Sequence, residues 1–188
     1  DWNTDKFPLF DEPVASYGGL TWGGNFGEYA FLTRLRAEQL RDIGPVLSAQ
    51  SAFTLAQGVE TLPYRMHAHI DNARVVANWL AQDSRIEFVN WAGLPSHPHY
   101  ERGLKYLPLG PGSVFSFSVK GGRDVGRKFI ESVDLASHVA NIGDAKTLVI
   151  HPASTTHAQL TDQQLLDAGV LPGIVRLSVG IEDVEDII

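Results

Sequence analysis

The sequence predicts an α+β fold, an antiparallel sheet with helices on one face, built from about residue 58 onward. Three observations lead there. Residues 61–82 carry one apolar stripe at spacings of three and four, later runs of β-branched and aromatic residues are short enough for strands, and Gly/Pro turns separate those runs. Ahead of residue 58 the composition is richer in loops, and the change marks an expected domain boundary that divides the chain into 1–57 and 58–188.

In chain order, residues 1–24 hold F-P-L-F-D-E-P and Y-G-G-L-T-W-G-G, too irregular for a long helix or strand. Phe7, Phe10, Tyr17 and Trp22 would be exposed on such a loop unless other protein covers them. Gly23, Gly24 and Gly27 lack the spacing and the preceding strand of a dinucleotide loop. From 26 to 42, Ala30, Phe31, Leu35 and Leu40 predict a helix with Arg34, Arg36, Glu38 and Arg41 outside, ended by Gly44-Pro45. A second helix is expected over 46–56. The clearest one covers 61–82, with Leu62, Met66, Ile70, Ala73, Val76, Ala77 and Leu80 as its buried stripe and Pro63 in its first turn, where a missing N–H costs little.

Residues 85–91 then read as a strand, followed by a Pro/His-rich loop at 94–99 and a short helix to about 104. Val114, Phe115, Phe117 and Val119 make 113–119 a strand that stops at Gly121-Gly122. A helix over 126–132 and a short strand over 136–141 lead to the stretch around which the rest is organised. There T-L-V-I (147–150) is a strand halted by His151-Pro152, because proline offers no N–H to a ladder. A polar turn, a short helix and a final strand at 174–179 follow.

The chain has 188 residues, 44% of them hydrophobic and 20% charged, with a formal net charge of -7. That acidity argues against nucleic acid and against an anionic membrane surface as partners. No apolar run approaches the roughly 20 residues of a membrane-spanning helix. The absence of cysteine removes disulfides, thiolate metal sites and a cysteine nucleophile, and suits a reducing cytoplasm. The opening D-W-N and the closing acidic I-E-D-V-E-D-I-I, which has no helix cap, lead us to expect a fragment of a longer polypeptide.

Among residues with chemistry to offer, His67 and His69 lie two apart on a helix, about 200° around its axis, and so cannot share an ion. His97 and His99 have no third ligand nearby in sequence, and no metal site is expected. Ser154 sits in no G-x-S-x-G elbow, so a serine triad has no support. Arg176 is the unusual residue, a guanidinium among Ile174, Val175, Leu177 and Val179. It either faces solvent from a half-buried strand or meets an anion, for which its planar fork suits a carboxylate or phosphate.

The run N-I-G-D-A-K-T-L-V-I-H-P-A-S-T-T-H (141–157) followed by R-L-S-V-G-I-E (176–182) resembles the C-terminal signature of the pyridoxal-phosphate (PLP) enzymes of Cys/Met metabolism. G-V-E-T-L-P-Y-R-M-x-x-H-x-x-N-A (58–73) and F-S-V-K-G-G (117–122) match as well, in the same order. Within that family the chain is most similar to the O-acetylhomoserine sulfhydrylases. The resemblance implies that 58–188 is the small C-terminal domain of a fold-type I PLP enzyme, and that 1–57 is the trailing part of the large α/β cofactor domain with its bridging helices. It implies PLP as cofactor, a small amino-acid substrate, a cytoplasmic enzyme, and a homotetramer built from dimers. Arg176, Asn141 and Thr156 would surround the substrate α-carboxylate. Asn141 departs from the serine found at that place in many relatives. The family's S-x-T-K segment, with its Schiff-base lysine, is not in this sequence. Lys6, Lys105, Lys120, Lys128 and Lys146 stand in other contexts, so the attachment lysine would precede Asp1, and no catalytic residue is assigned within these residues. Cystathionine γ-synthase and methionine γ-lyase carry the same signature, and a non-catalytic binding or oligomerisation module is the reading from another class.

Overall fold

The computed structural model describes residue 2 and residues 5–188. The chain separates into two compact units, Asp1–Gln57 and Gly58–Ile188. In the first, α1 (Pro8–Asp11), α2 (Trp22–Phe26) and α3 (Ala30–Arg34) are short, and a π-helical stretch, Leu35–Ile43, continues α3. The helix expected over 26–42 is therefore present but wound in three ways. Gly27, at φ 52°, breaks α2 and opens one 3-10 turn, Gly27–Tyr29; α3 and the wider π winding follow, and Gly44 ends the run as the sequence implies.

The aromatics of residues 1–24 behave differently from the expectation. They pack on one another instead of standing exposed: Trp2 lies against Phe7 and Phe10 with centroids 5.1 and 5.0 Å apart, and Tyr17 meets Trp22 edge-on at 5.1 Å. Trp22 is 1% exposed. Exposed apolar residues are found further on, in α4 (Ala49–Glu60), whose Phe53, Leu55 and Val59 are all about 60% exposed. That helix starts at Ala49, later than expected, because the Ser48 hydroxyl accepts the Ser51 N–H at 3.0 Å and caps its first turn.

The second unit holds α5 (Leu62–Gln82), β1 (Ile86–Asn90), α6 (Tyr100–Tyr106), β2 (Val114–Val119), α7 (Gly122–Ser132), β3 (Leu148–Ile150), α8 (Asp162–Asp167), β4 (Ile174–Ser178) and α9 (Val184–Ile187). The strands form one antiparallel sheet in the order β1-β2-β4-β3. One face of the sheet presents Phe115, Phe117, Val149, Val175 and Leu177. Against it lie Ala73, Val76, Ala77 and Leu80 of α5 and Ile130 of α7, and these side chains make the core. The helical stripe is buried from Ile70 onward, while Leu62, at its start, is 40% exposed.

Two boundaries differ from the sequence reading. Helix α7 begins at Gly122 directly after β2, since Gly121 at φ 112° turns the chain in a conformation that a side chain would oppose. Residues 136–141 do not form a strand. Only Ser137 bridges to Leu148, and the segment then leaves the sheet as a loop in which the Asn141 side chain accepts the Ile142 N–H.

Candidate functional site

Alternation along β4 sends Val175 and Leu177 into the core and Ile174, Arg176 and Ser178 to the opposite face. On that face Arg176 stands between Ser116 of β2 and Ile150 of β3, its partners in the two registers. Its surroundings are thus polar on one side and apolar on the other, and the residue is half-buried. The guanidinium donates from Nη2 to the Asn141 backbone carbonyl at 3.3 Å, a long bond that leaves most of its donors unused. Among the described residues no carboxylate pairs with Arg176.

Asn141 therefore does meet Arg176, but through its main chain, while its side-chain oxygen serves its own turn. Thr156 lies in the turn after β3, exposed, with its hydroxyl 2.8 Å from His157 Nδ1. No bond joins it to Arg176 or Asn141 among the described residues. That turn is held from α7 by Arg123, which donates to the carbonyls of Ala153 and Leu160 and pairs with Asp162 at 2.7 Å. Below the turn His151 is fully buried. Its Nε2 faces the Pro172 carbonyl at 2.7 Å, so that nitrogen carries the proton, and Nδ1 accepts the Ser154 hydroxyl at 2.8 Å. Burial pushes the His151 pKa down, Arg123 and Arg127 push it the same way, and the bond to the Pro172 carbonyl opposes them.

A second set of polar residues was not singled out in the sequence. The Glu182 carboxylate accepts the Thr147 N–H at 2.6 Å and the Thr147 hydroxyl at 2.9 Å. Asn72 of α5 donates to the carbonyls of Gly180 and Glu182, and His69, one turn earlier, donates from Nδ1 to the Val179 carbonyl at 2.7 Å. The H-x-x-N spacing of His69 and Asn72, three apart and so on one face of a helix, was the available signal.

With this geometry in hand, the family described as Cys/Met metabolism PLP-dependent enzyme matches residues 24–188, and the chain belongs to it. O-acetyl-L-homoserine sulfhydrylase 1 of Thermus thermophilus is 45% identical over 186 residues, covering 99% of this chain and 44% of that protein. Homocysteine synthase of Schizosaccharomyces pombe is 44% identical over 190 residues, covering 100% of this chain and 44% of that protein. Among solved structures, a putative O-acetylhomoserine (thiol)-lyase from Campylobacter jejuni, crystallised with a pyridoxyl-lysine phosphate, superposes with a TM-score of 0.80 at 36% identity. It covers 98% of this chain and 44% of that one. The chain thus spans less than half the length of these relatives.

The residues present do not fit covalent attachment of PLP. All five lysines are exposed; Lys120 Nζ donates to the Ser84 carbonyl at 2.6 Å, and Lys105 lies over the Tyr106 ring. None stands in a desolvated pocket of the kind that activates a lysine amine.

Proposed function

We propose that these residues are the C-terminal part of a PLP-dependent O-acetylhomoserine sulfhydrylase, which converts O-acetylhomoserine and sulfide or a thiol to homocysteine, or its thioether, and acetate. The observation that carries the reading is Arg176: a half-buried guanidinium on the face of the sheet opposite the core, with no carboxylate partner among the described residues and one long bond to Asn141. An unspent planar fork in a partly dry setting suits the α-carboxylate of an amino acid, and fixing that group orients the rest of the substrate. Asn141 and Thr156 complete the assignment, the first beside Arg176 and the second on the Arg123-held turn. PLP, when bound, supplies the electron sink, and its attachment lysine belongs to the length of the relatives that this chain does not span.

On the same reading, 58–188 is the small domain and 1–57 the trailing part of the cofactor domain with its bridge. The enzyme acts in the cytoplasm as a homotetramer of dimers. The exposed apolar residues of α4 support burial against further protein. No helix among the described residues is long and apolar enough to cross a membrane.

The test is steady-state kinetics of a full-length enzyme carrying these residues. Arg176→Lys keeps the charge and loses the fork, and is expected to lower kcat/KM for O-acetylhomoserine by about one to two powers of ten, the cost of roughly 1.5 to 3 kcal/mol for a charged hydrogen bond. Arg176→Ala loses more. A near-wild-type kcat/KM in Arg176→Ala, with the thermal melt unchanged, rules the clamp out.

A further inference from the structure

The loop 141–147 has no apolar anchor. Residues 141–146 are all exposed, Ile142 included, so only hydrogen bonds decide where the loop lies. They come at regular intervals from the exit of β4. The Gly143 N–H donates to the Ser178 hydroxyl at 3.1 Å, the Ile181 N–H donates to the Ala145 carbonyl at 2.9 Å, and Thr147 gives both of its donors to Glu182. The Thr147 hydroxyl in turn accepts the Gly180 N–H at 2.9 Å. Close approach here requires glycine. A Cβ on Gly180 would stand 2.5 Å from both the Ala145 carbonyl and the Thr147 nitrogen, and would strike the Glu182 carboxylate as well. From the other side, His69 and Asn72 of α5 hold Val179, Gly180 and Glu182 by their carbonyls.

The β4 exit is therefore a rail fixed to α5, and the loop hangs on it by its Thr147 end. At its other end the loop carries Asn141, whose carbonyl accepts the one hydrogen bond that the Arg176 guanidinium makes among the described residues. We propose that Glu182 is a positioning residue for the carboxylate site: by latching Thr147 it sets where Asn141 stands over Arg176, and so aims the guanidinium. Glu182 acts through these groups and does not touch substrate. Because its bonds to Thr147 are charge-assisted, they are about twice as strong as neutral ones, which makes Glu182 the dominant fastening of the loop. This inference rests on the reading of Arg176 given above.

The experiment compares O-acetylhomoserine with its α-carboxamide in the full-length holoenzyme and reads the ratio of the two kcat/KM values. A site aimed at a carboxylate prefers the acid. Glu182→Gln, which keeps shape and removes charge, and Thr147→Val, which removes the hydroxyl, are each expected to lower that ratio about tenfold, the loss of one charged hydrogen bond. Thr147→Ser retains the hydroxyl and restores the ratio to within about twofold of wild type. A purely structural role predicts that both substrates slow together with the ratio unmoved, and that result in Glu182→Gln and Thr147→Val overturns the proposal. Arg176→Ala run in parallel separates the two readings. If it collapses the ratio and the latch variants do not, the latch alone fails; if it leaves the ratio unmoved, the clamp fails and the latch's role falls with it.

Discussion

Two side chains of the segment 147–182 meet opposite environments. Arg176 keeps its head partly in solvent with donors to spare, whereas His151 is enclosed and has both ring nitrogens occupied. Adding a proton to His151 in the folded state is opposed by burial and by Arg123 and Arg127, so its folded pKa lies below the ordinary value of 6.5. The unfolded chain then takes up that proton first as the solution is acidified. The stability that goes with the neutral, buried ring is complete above pH 6.5 and is lost as pH falls from there through the lower, folded pKa. Denaturant melts over this window are expected to show stability rising with pH, and His151→Asn to flatten that slope. An unchanged slope in the variant would show that other groups cause it. The space around the ring is equally determined, since a Cβ on Gly126 would lie 2.6 Å from the imidazole.

Among the elements, α4 is the one whose surface disagrees with its surroundings. Phe53, Leu55 and Val59 face outward, and between Asp42 and Glu60 the sequence has no charged residue. A 12-residue helix of this kind is marginal in water by itself. In a protein of the relatives' full length its amides are expected to be strongly protected from hydrogen exchange, and in the isolated 188 residues to exchange far faster. Equal, fast exchange in both would show that nothing covers it. The elements that were legible in the sequence are those whose pattern answers to a local rule. β2 and β4 alternate against a core, α5 repeats at three and four, and Gly44 and Gly121 stop what precedes them. The π winding of Leu35–Ile43 follows no composition rule and could not be read. Residues 136–141 looked like a strand because Ala136, Val139 and Ala140 are apolar, but only one bridge forms there. At the site, Arg176 was visible as a charge in an apolar strand. The fastening by Asn72 was not, because its partners lie 108 and 110 residues away and the H-x-x-N spacing it shares with His69 names no partner.

At the scale of the whole molecule the two units differ in how much they bury. Gly58–Ile188 encloses a continuous core of helix and sheet side chains, while the buried hydrophobic residues of Asp1–Gln57 are Trp22 and Ala30. Residues 58–188 expressed alone are expected to unfold cooperatively with dispersed NMR signals, and residues 1–57 alone to show neither property. A non-cooperative melt of 58–188 would mean that its core depends on further protein. The strand order has another consequence, for synthesis. β4 is made after the other three strands, yet it lies inside the sheet, between β2 and β3, and on its far side β3 has only the Ser137 bridge among the described residues. Until residues 174–178 leave the ribosome, β2 and β3 each keep open the edge that β4 will fill, and Phe115, Phe117 and Val149 lack the strand that joins them. A nascent chain halted before Ile174 is thus a set of unpaired edges and bare aromatics suited to chaperone capture or aggregation, not a partly finished domain.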